Sequence, residues 1–351
     1  MKRFTALALS GLMAISLVGC GGSAASGASG ASGEQKADGA AGANLALSIG
    51  YTTAANENDP YHVTAMKFKE IVEDKTGGRI VVNNYPSSQL GSEPEMWEGM
   101  QTGTCDMAVM TNAYVSSYIP ANGCLDLPFI FSDLDQARGV LDGEFGQKLI
   151  DNMEGSGVTC LAFSEGGFRQ LCTRSKAIRT PADLAGQKIR CMETKTYLSA
   201  YAALDVNATP MAWGELLTAL QQGTVDGCDA PLSVLYTNGF PDICKYIDNV
   251  NLFYSPLPVC ISTQVLNKLS AEDQQILRDA AKEASVAARA NNDATAESME
   301  ADLTAQGMTI VSTDEVDTDA FRAAASACYT DMESYIGSEW VNELKVLVGM
   351  A

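Results

Sequence analysis

The chain has 351 residues, 43 of them acidic against 23 basic, for a formal net charge of −20 at neutral pH. Such a balance excludes the basic footprint that nucleic-acid binding requires, and it leaves the sign of a ligand open, because acidity also serves solubility. A hydrophobic content of 46% is that of a globular protein, and the stretch from Asn44 onward, about 300 residues, suffices for one large domain or two lobes with separate cores.

The chain begins MKRFTALALSGLMAISLVGC. Lys2 and Arg3 form a basic start, and Phe4 to Val18 form an apolar run. The run is shorter than the about 20 residues of a membrane span, which is the layout of a cleaved secretory signal. Leu17-Val18-Gly19-Cys20 resembles the lipobox of bacterial lipoproteins, so residues 1–19 are expected to be removed and Cys20 to carry lipid. An ordinary signal with an incidental cysteine is the plainer alternative. Two acyl chains anchor stably, at about 0.8 kcal/mol per buried CH₂. Residues 20–43 are nearly all Gly, Ala and Ser and read as a flexible tether.

ALSIGY, from Ala46, reads as a first strand, and Tyr61 to Lys75 carries Ala65, Phe68, Ile71 and Val72 at helical spacing. Gly77-Gly78 stops that helix, and RIVVNNY is rich in strand formers. Ser92-Glu-Pro-Glu95 predicts a capping-box helix start. That helix ends before Gly103, and CDMAVM follows as a strand. The βαβαβ order predicts an α/β fold with a largely parallel sheet. Further on, Val158 to Phe163, FRQLCTR and QKIRCME read as three strands, with helices near 196–204 and 213–222 before TVDGCDA. QTGTCD and QQGTVD share Q-x-G-T-x-D after a helix, which predicts equivalent helix–turn–strand units in two similar lobes. From Leu269 the polar, Ala-rich tail predicts a long helix, and GMTIVST a last strand.

Catalytic and metal motifs are missing. His62 is the single histidine, no G-x-S-x-G or phosphate-binding loop occurs, and the 10 cysteines contain no C-x-x-C pair. The cysteines read mainly as small buried hydrophobes, with one or two disulfides open to an exported chain. Neither an enzyme nor a cofactor is expected. What remains is recognition chemistry. Arg169 in EGGFRQ and Arg190 in QKIRCME end strand-like runs; a guanidinium suits bidentate carboxylate binding, and a structural ion pair is the alternative. Trp213 reads equally as a core aromatic or a wall against a ligand.

The run YPSSQLGSEPEMWEGMQTGTCDMAVM and the block LAGQKIRCMETKTYLSAYAALDVNATPMAWGELLTALQQGTVDGCDAPL resemble the solute-binding proteins of tripartite ATP-independent periplasmic (TRAP) transporters, DctP type. LDLPFIF, GFRQL and LSAEDQQIL fit the same pattern, so the likeness covers residues 45–350. It implies a two-lobed α/β fold like that of periplasmic binding proteins, with residues 44–166 plus 256–295 in one lobe, 167–255 plus 296–351 in the other, and a long helix bridging them. It implies capture of a small organic acid outside the cytoplasmic membrane and delivery to a TRAP permease. A lipid-anchored sensor of the same fold is the other reading. The resemblance puts the carboxylate-binding arginine at Arg190, a second at Arg169 and the cleft aromatic at Trp213. First-lobe contacts fall at Thr52, Thr111 and Asn112. One departure is Ala230, where many members carry an Asn that touches the ligand. Glu165, Glu193 and Asp229 are acids near the expected cleft, suited to hydroxyls or an amine.

Overall fold

The computed structural model describes residues 45–350, so the leader, Cys20 and the tether lie outside the described residues. Strand β1 (Leu45–Gly50) leads into a helix at Pro60–Lys75. Asp59 caps that helix with its side chain and Pro60 opens it, because the first turn has no use for the missing N–H. Its Ala65, Phe68, Ile71 and Val72 are buried as one stripe. Gly77 and Gly78, both at positive φ, turn the chain into β2 (Ile80–Tyr85). The capping box of Ser92 and Glu95 forms, and the Glu93–Thr102 helix runs to β3 (Met107–Val109). β1 pairs in parallel with both β2 and β3, which the crossover helices between them allow.

The remaining strands change the sheet. They are β4 (Val158–Thr173), β5 (Arg190–Cys191), β6 (Thr209–Pro210), β7 (Gly227–Pro231), β8 (Tyr246–Ser262) and β9 (Thr309–Val311). The main sheet has the order β2-β1-β3-β8-β4-β7, with β9 on β8, and β5 and β6 form a separate two-stranded sheet. β8 runs antiparallel to β3 and to β4, and β4 antiparallel to β7, so the sheet is mixed rather than largely parallel. The long β8 pairs with β4 from Val158 opposite Ser262 to Thr173 opposite Tyr246, and its C-terminal part also pairs with β3, so both of its neighbours run against it.

A second difference concerns Val158–Phe163 and FRQLCTR, which are one continuous strand of 16 residues. Gly166-Gly167 lies between the two runs, and the strand passes through it with a register shift between Glu165 and Gly167. Gly167 sits at φ +90, and a Cβ on Gly166 would lie 2.9 Å from the Pro231 ring, so both positions need glycine. QKIRCME shrinks to the two residues of β5, held against β6.

The Q-x-G-T-x-D echo is structural. Gly103 and Gly223 end their helices in left-handed conformations at φ 79 and 72, and the next N–H, of Thr104 or Thr224, donates back to Gly99 O or Ala219 O, each at 2.9 Å. The aspartate then accepts a backbone N–H from a neighbouring segment: Asp106 from Ser48 and Asp226 from Lys188.

Two apolar clusters cover the two faces of the sheet. Met107 and Val109 join the face under the Pro60–Lys75 helix and the 35-residue Ala271–Ala305 helix, while Ala108 and Met110 join the opposite face. The nine cysteines from Cys105 to Cys328 are buried free thiols. Cys160 faces Cys260 and Cys172 faces Cys228 across antiparallel pairs. No helix among the described residues is long and apolar enough to cross a membrane.

Candidate ligand-binding site

A cavity of about 200 Å³ opens where the loop after β1, the start of the Glu93–Thr102 helix, β4, β5 and the segment after β7 converge. Arg190 and Arg169 form its cationic side. Arg190 is 1% exposed, and its Nε and Nη2 both donate to Met211 O at 3.0 and 2.8 Å. No carboxylate among the described residues comes within ion-pair distance of it. Arg169 is also buried, but its charge is answered: Nε donates to Asp229 Oδ2 at 2.5 Å and Nη2 to Asp229 O at 2.6 Å. In both guanidiniums Nη1 makes no hydrogen bond within the described residues, and both residues line the cavity. The side chains are thus pinned by two nitrogens and present the third.

Trp213 opens the helix that follows β6 and forms a half-buried wall, with the Arg190 guanidinium 6.0 Å from its ring centre. Thr52, Thr111 and the exposed Glu193 also line the space. Ala230, Pro231 and Val234 add an apolar stretch of wall, Pro231 pairing with Arg169 across β7 and β4. Of the residues expected from the sequence, six therefore meet in one cavity: Arg190, Arg169, Trp213, Thr52, Thr111 and Glu193.

Three others do not line it. Asn112 is fully buried beside it, donating to Asn122 O and Asp126 Oδ2, each at 2.9 Å. Glu165 is fully buried, and both its oxygens are held by protein donors, Arg138 at 2.9 and 2.5 Å and the Tyr254 hydroxyl at 2.8 Å. Asp229 lies behind Arg169, bonded also by the Tyr201 hydroxyl at 2.8 Å, so it positions the arginine. His62 is half-buried outside the cavity, its Nδ1 2.5 Å from the Tyr51 hydroxyl.

The structure adds Glu93, Tyr61 and Thr53 to the lining. Glu93 is 3% exposed; its Oε1 accepts from the Thr111 N–H at 3.0 Å and the Thr111 hydroxyl at 2.8 Å, while Oε2 has no partner. Burial pushes its carboxyl up to about 7, against the opposing pull of the Thr111 bonds and of Arg169 and Arg190. In the sequence Glu93 reads as an acid favouring a helix N-terminus, and nothing local marks it as a cavity residue.

Residues 51–335 match the family described as bacterial extracellular solute-binding protein, family 7, the DctP family. The chain belongs to it. Members of this family bind and hand over solutes rather than transform them. A solute-binding protein of Verminephrobacter eiseniae is 35% identical over 305 residues, spanning 87% of this chain and 90% of that one. A TRAP periplasmic solute-binding protein from Polaromonas, solved bound to D-erythronate, has 35% identity and a TM-score of 0.82 over 86% of this chain and 98% of its own. Another from Roseobacter denitrificans, with bound L-galactonate, has 30% identity and a TM-score of 0.80 over 88% and 99%.

Proposed function

We propose that the cavity captures a hydroxylated monocarboxylate and that the protein delivers it to a TRAP permease. The observation that carries this reading is the pair of buried arginines, each with Nη1 unbonded within the described residues, of which only Arg169 has an acid partner. Arg190 therefore leaves one positive charge for a ligand to neutralise. A single carboxylate answers it; a second would be buried near Glu93 with no cation left to pair with, at a cost of several kcal/mol per unpaired ion. The unpartnered Oε2 of Glu93 instead suits a hydroxyl donor. D-erythronate and L-galactonate, the ligands of the two similar structures, are both hydroxylated monocarboxylates.

On this reading residues 44–166 plus 256–295 form one lobe and 167–255 plus 296–351 the other, with the Ala271–Ala305 helix bridging them, and Trp213 packs on the ligand. The protein works on the outer side of the cytoplasmic membrane, held there by lipid on Cys20. Titration calorimetry at neutral pH with D-erythronate, L-galactonate and succinate tests the ligand class. A hydroxy acid is expected to bind at least about tenfold more tightly than succinate, the loss of one charge-assisted bond. Equal or tighter binding of succinate would overturn the monocarboxylate reading.

A further inference from the structure

The loop after β1 is bonded to a helix that follows β7, although β3, β8 and β4 stand between those strands in the sheet. The Ala54 N–H donates to Asn238 Oδ1 at 2.9 Å. Asp59 Oδ2 accepts from the Thr237 hydroxyl and from Asn238 Nδ2, each at 3.1 Å, across 178 and 179 residues of chain. Thr237 ends the Leu232–Thr237 helix and Asn238 caps it. The two segments so joined also line the cavity, through Thr52 and Thr53 on one side and Pro231 and Val234 on the other.

These bonds are not needed to build either segment. Asp59 Oδ1 alone serves as the cap of its own helix, accepting from the Tyr61 and His62 N–H groups and from the Thr53 hydroxyl at 2.6 Å. Oδ2 is left over for the partner segment. On the other side each donor has a second acceptor within its own helix: the Thr237 hydroxyl reaches Ser233 O at 2.8 Å and Asn238 Nδ2 reaches Val234 O at 2.9 Å. If the segments separate, the Thr237 and Asn238 donors fall back on local carbonyls, while Asp59 Oδ2 and the N–H of half-buried Ala54 turn to water. Contacts that cross between segments and leave each group another partner on breaking are suited to repeated opening and closing.

We propose that Asp59, Thr237 and Asn238 form a latch between the two cavity-lining segments that sets how long a captured solute stays. The latch rests on the reading that this cavity holds a ligand and that the two segments belong to lobes that part. These residues touch no ligand; they position the segments that do.

Asp59→Asn in the full chain is the direct test. Asparagine keeps an oxygen for the helix cap and replaces Oδ2 by an N–H donor facing two other donors. Asn238→Ala is the second variant, removing both bonds from the opposite side. Small-angle scattering of the ligand-free proteins should find both variants more extended than the wild type. Stopped-flow Trp fluorescence with D-erythronate or L-galactonate should find dissociation from both variants accelerated about tenfold or more. Wild-type dissociation rates together with superimposable scattering curves would overturn the latch. If neither acid binds the wild type, the proposed ligand class fails, and the scattering comparison alone then decides the latch, extended variants supporting it and unchanged ones refuting it.

Discussion

Replacing Arg190 by Met separates the two roles a buried arginine can have. Arg190 is 1% exposed and lacks an acid partner among the described residues, so in the ligand-free protein its charge is uncompensated, at a cost of several kcal/mol. Methionine is of similar length and removes that cost, while Met211 O loses two donors, a penalty of about 1–3 kcal/mol. The ligand-free variant is therefore expected to melt no lower than the wild type. Binding should move the other way. One charge-assisted bond contributes about 1.5–3 kcal/mol, and stranding a buried carboxylate without its partner raises the loss to about 3–5 kcal/mol. Affinity should fall between about tenfold and a few thousandfold. Calorimetry with whichever hydroxy acid binds the wild type, paired with calorimetric melting of the free proteins, reads both quantities. Affinity within twofold of wild type would refute the carboxylate clamp. Lost binding accompanied by a fall of many degrees in melting temperature would make Arg190 a structural residue instead.

Glu93→Gln keeps an oxygen for the two Thr111 donors and turns the unpartnered Oε2 into a donor. Calorimetry should find L-galactonate weakened at least about tenfold while a short acid without distal hydroxyls binds the variant and the wild type alike; equal loss for both would count against a hydroxyl contact. Asp248 is fully buried, and burial pushes its carboxyl up to about 7. The folded state thus holds a proton that the unfolded chain releases near pH 3.9, so the stability this proton contributes is full below about pH 4 and is lost as pH rises through 7, by at most about 4 kcal/mol. In denaturant unfolding Asp248→Asn should gain on the wild type as pH rises, its advantage larger at pH 8 than at pH 5 by about 2–3 kcal/mol; a gap independent of pH would refute this assignment.

Local chemistry in the sequence foretold local structure well. The Ser92–Glu95 box, Pro60 and the glycines at 103 and 223 act through neighbours a few residues away, and each does in the fold what its residue type dictates. Arg190, Arg169, Trp213 and Glu193 line one cavity and lie within the quoted motifs, while Thr52 and Thr111 follow the ends of β1 and β3. Long-range pairing was less legible. That Val158–Phe163 and FRQLCTR are one strand shows only in their shared pairing with β8, and the direction of β8 depends on the strands beside it in space. Asn112 and Glu165 do not line the cavity, and their partners, Asp126 and Arg138, hold their polar atoms. Glu93 escaped notice because a helix-start acid and a buried cavity acid look the same in one dimension.

The nine buried thiols have a practical consequence. Burial pushes thiols such as Cys124 and Cys172 above their ordinary range, so little thiolate is exposed to a reagent while the fold is intact. Alkylation of these sulfurs should therefore run at the pace of global unfolding, a built-in clock that needs no added probe. A single cysteine introduced on the surface would in turn react far ahead of them, which gives the described residues one attachment point for a dye or a surface without removing any of these nine cysteines.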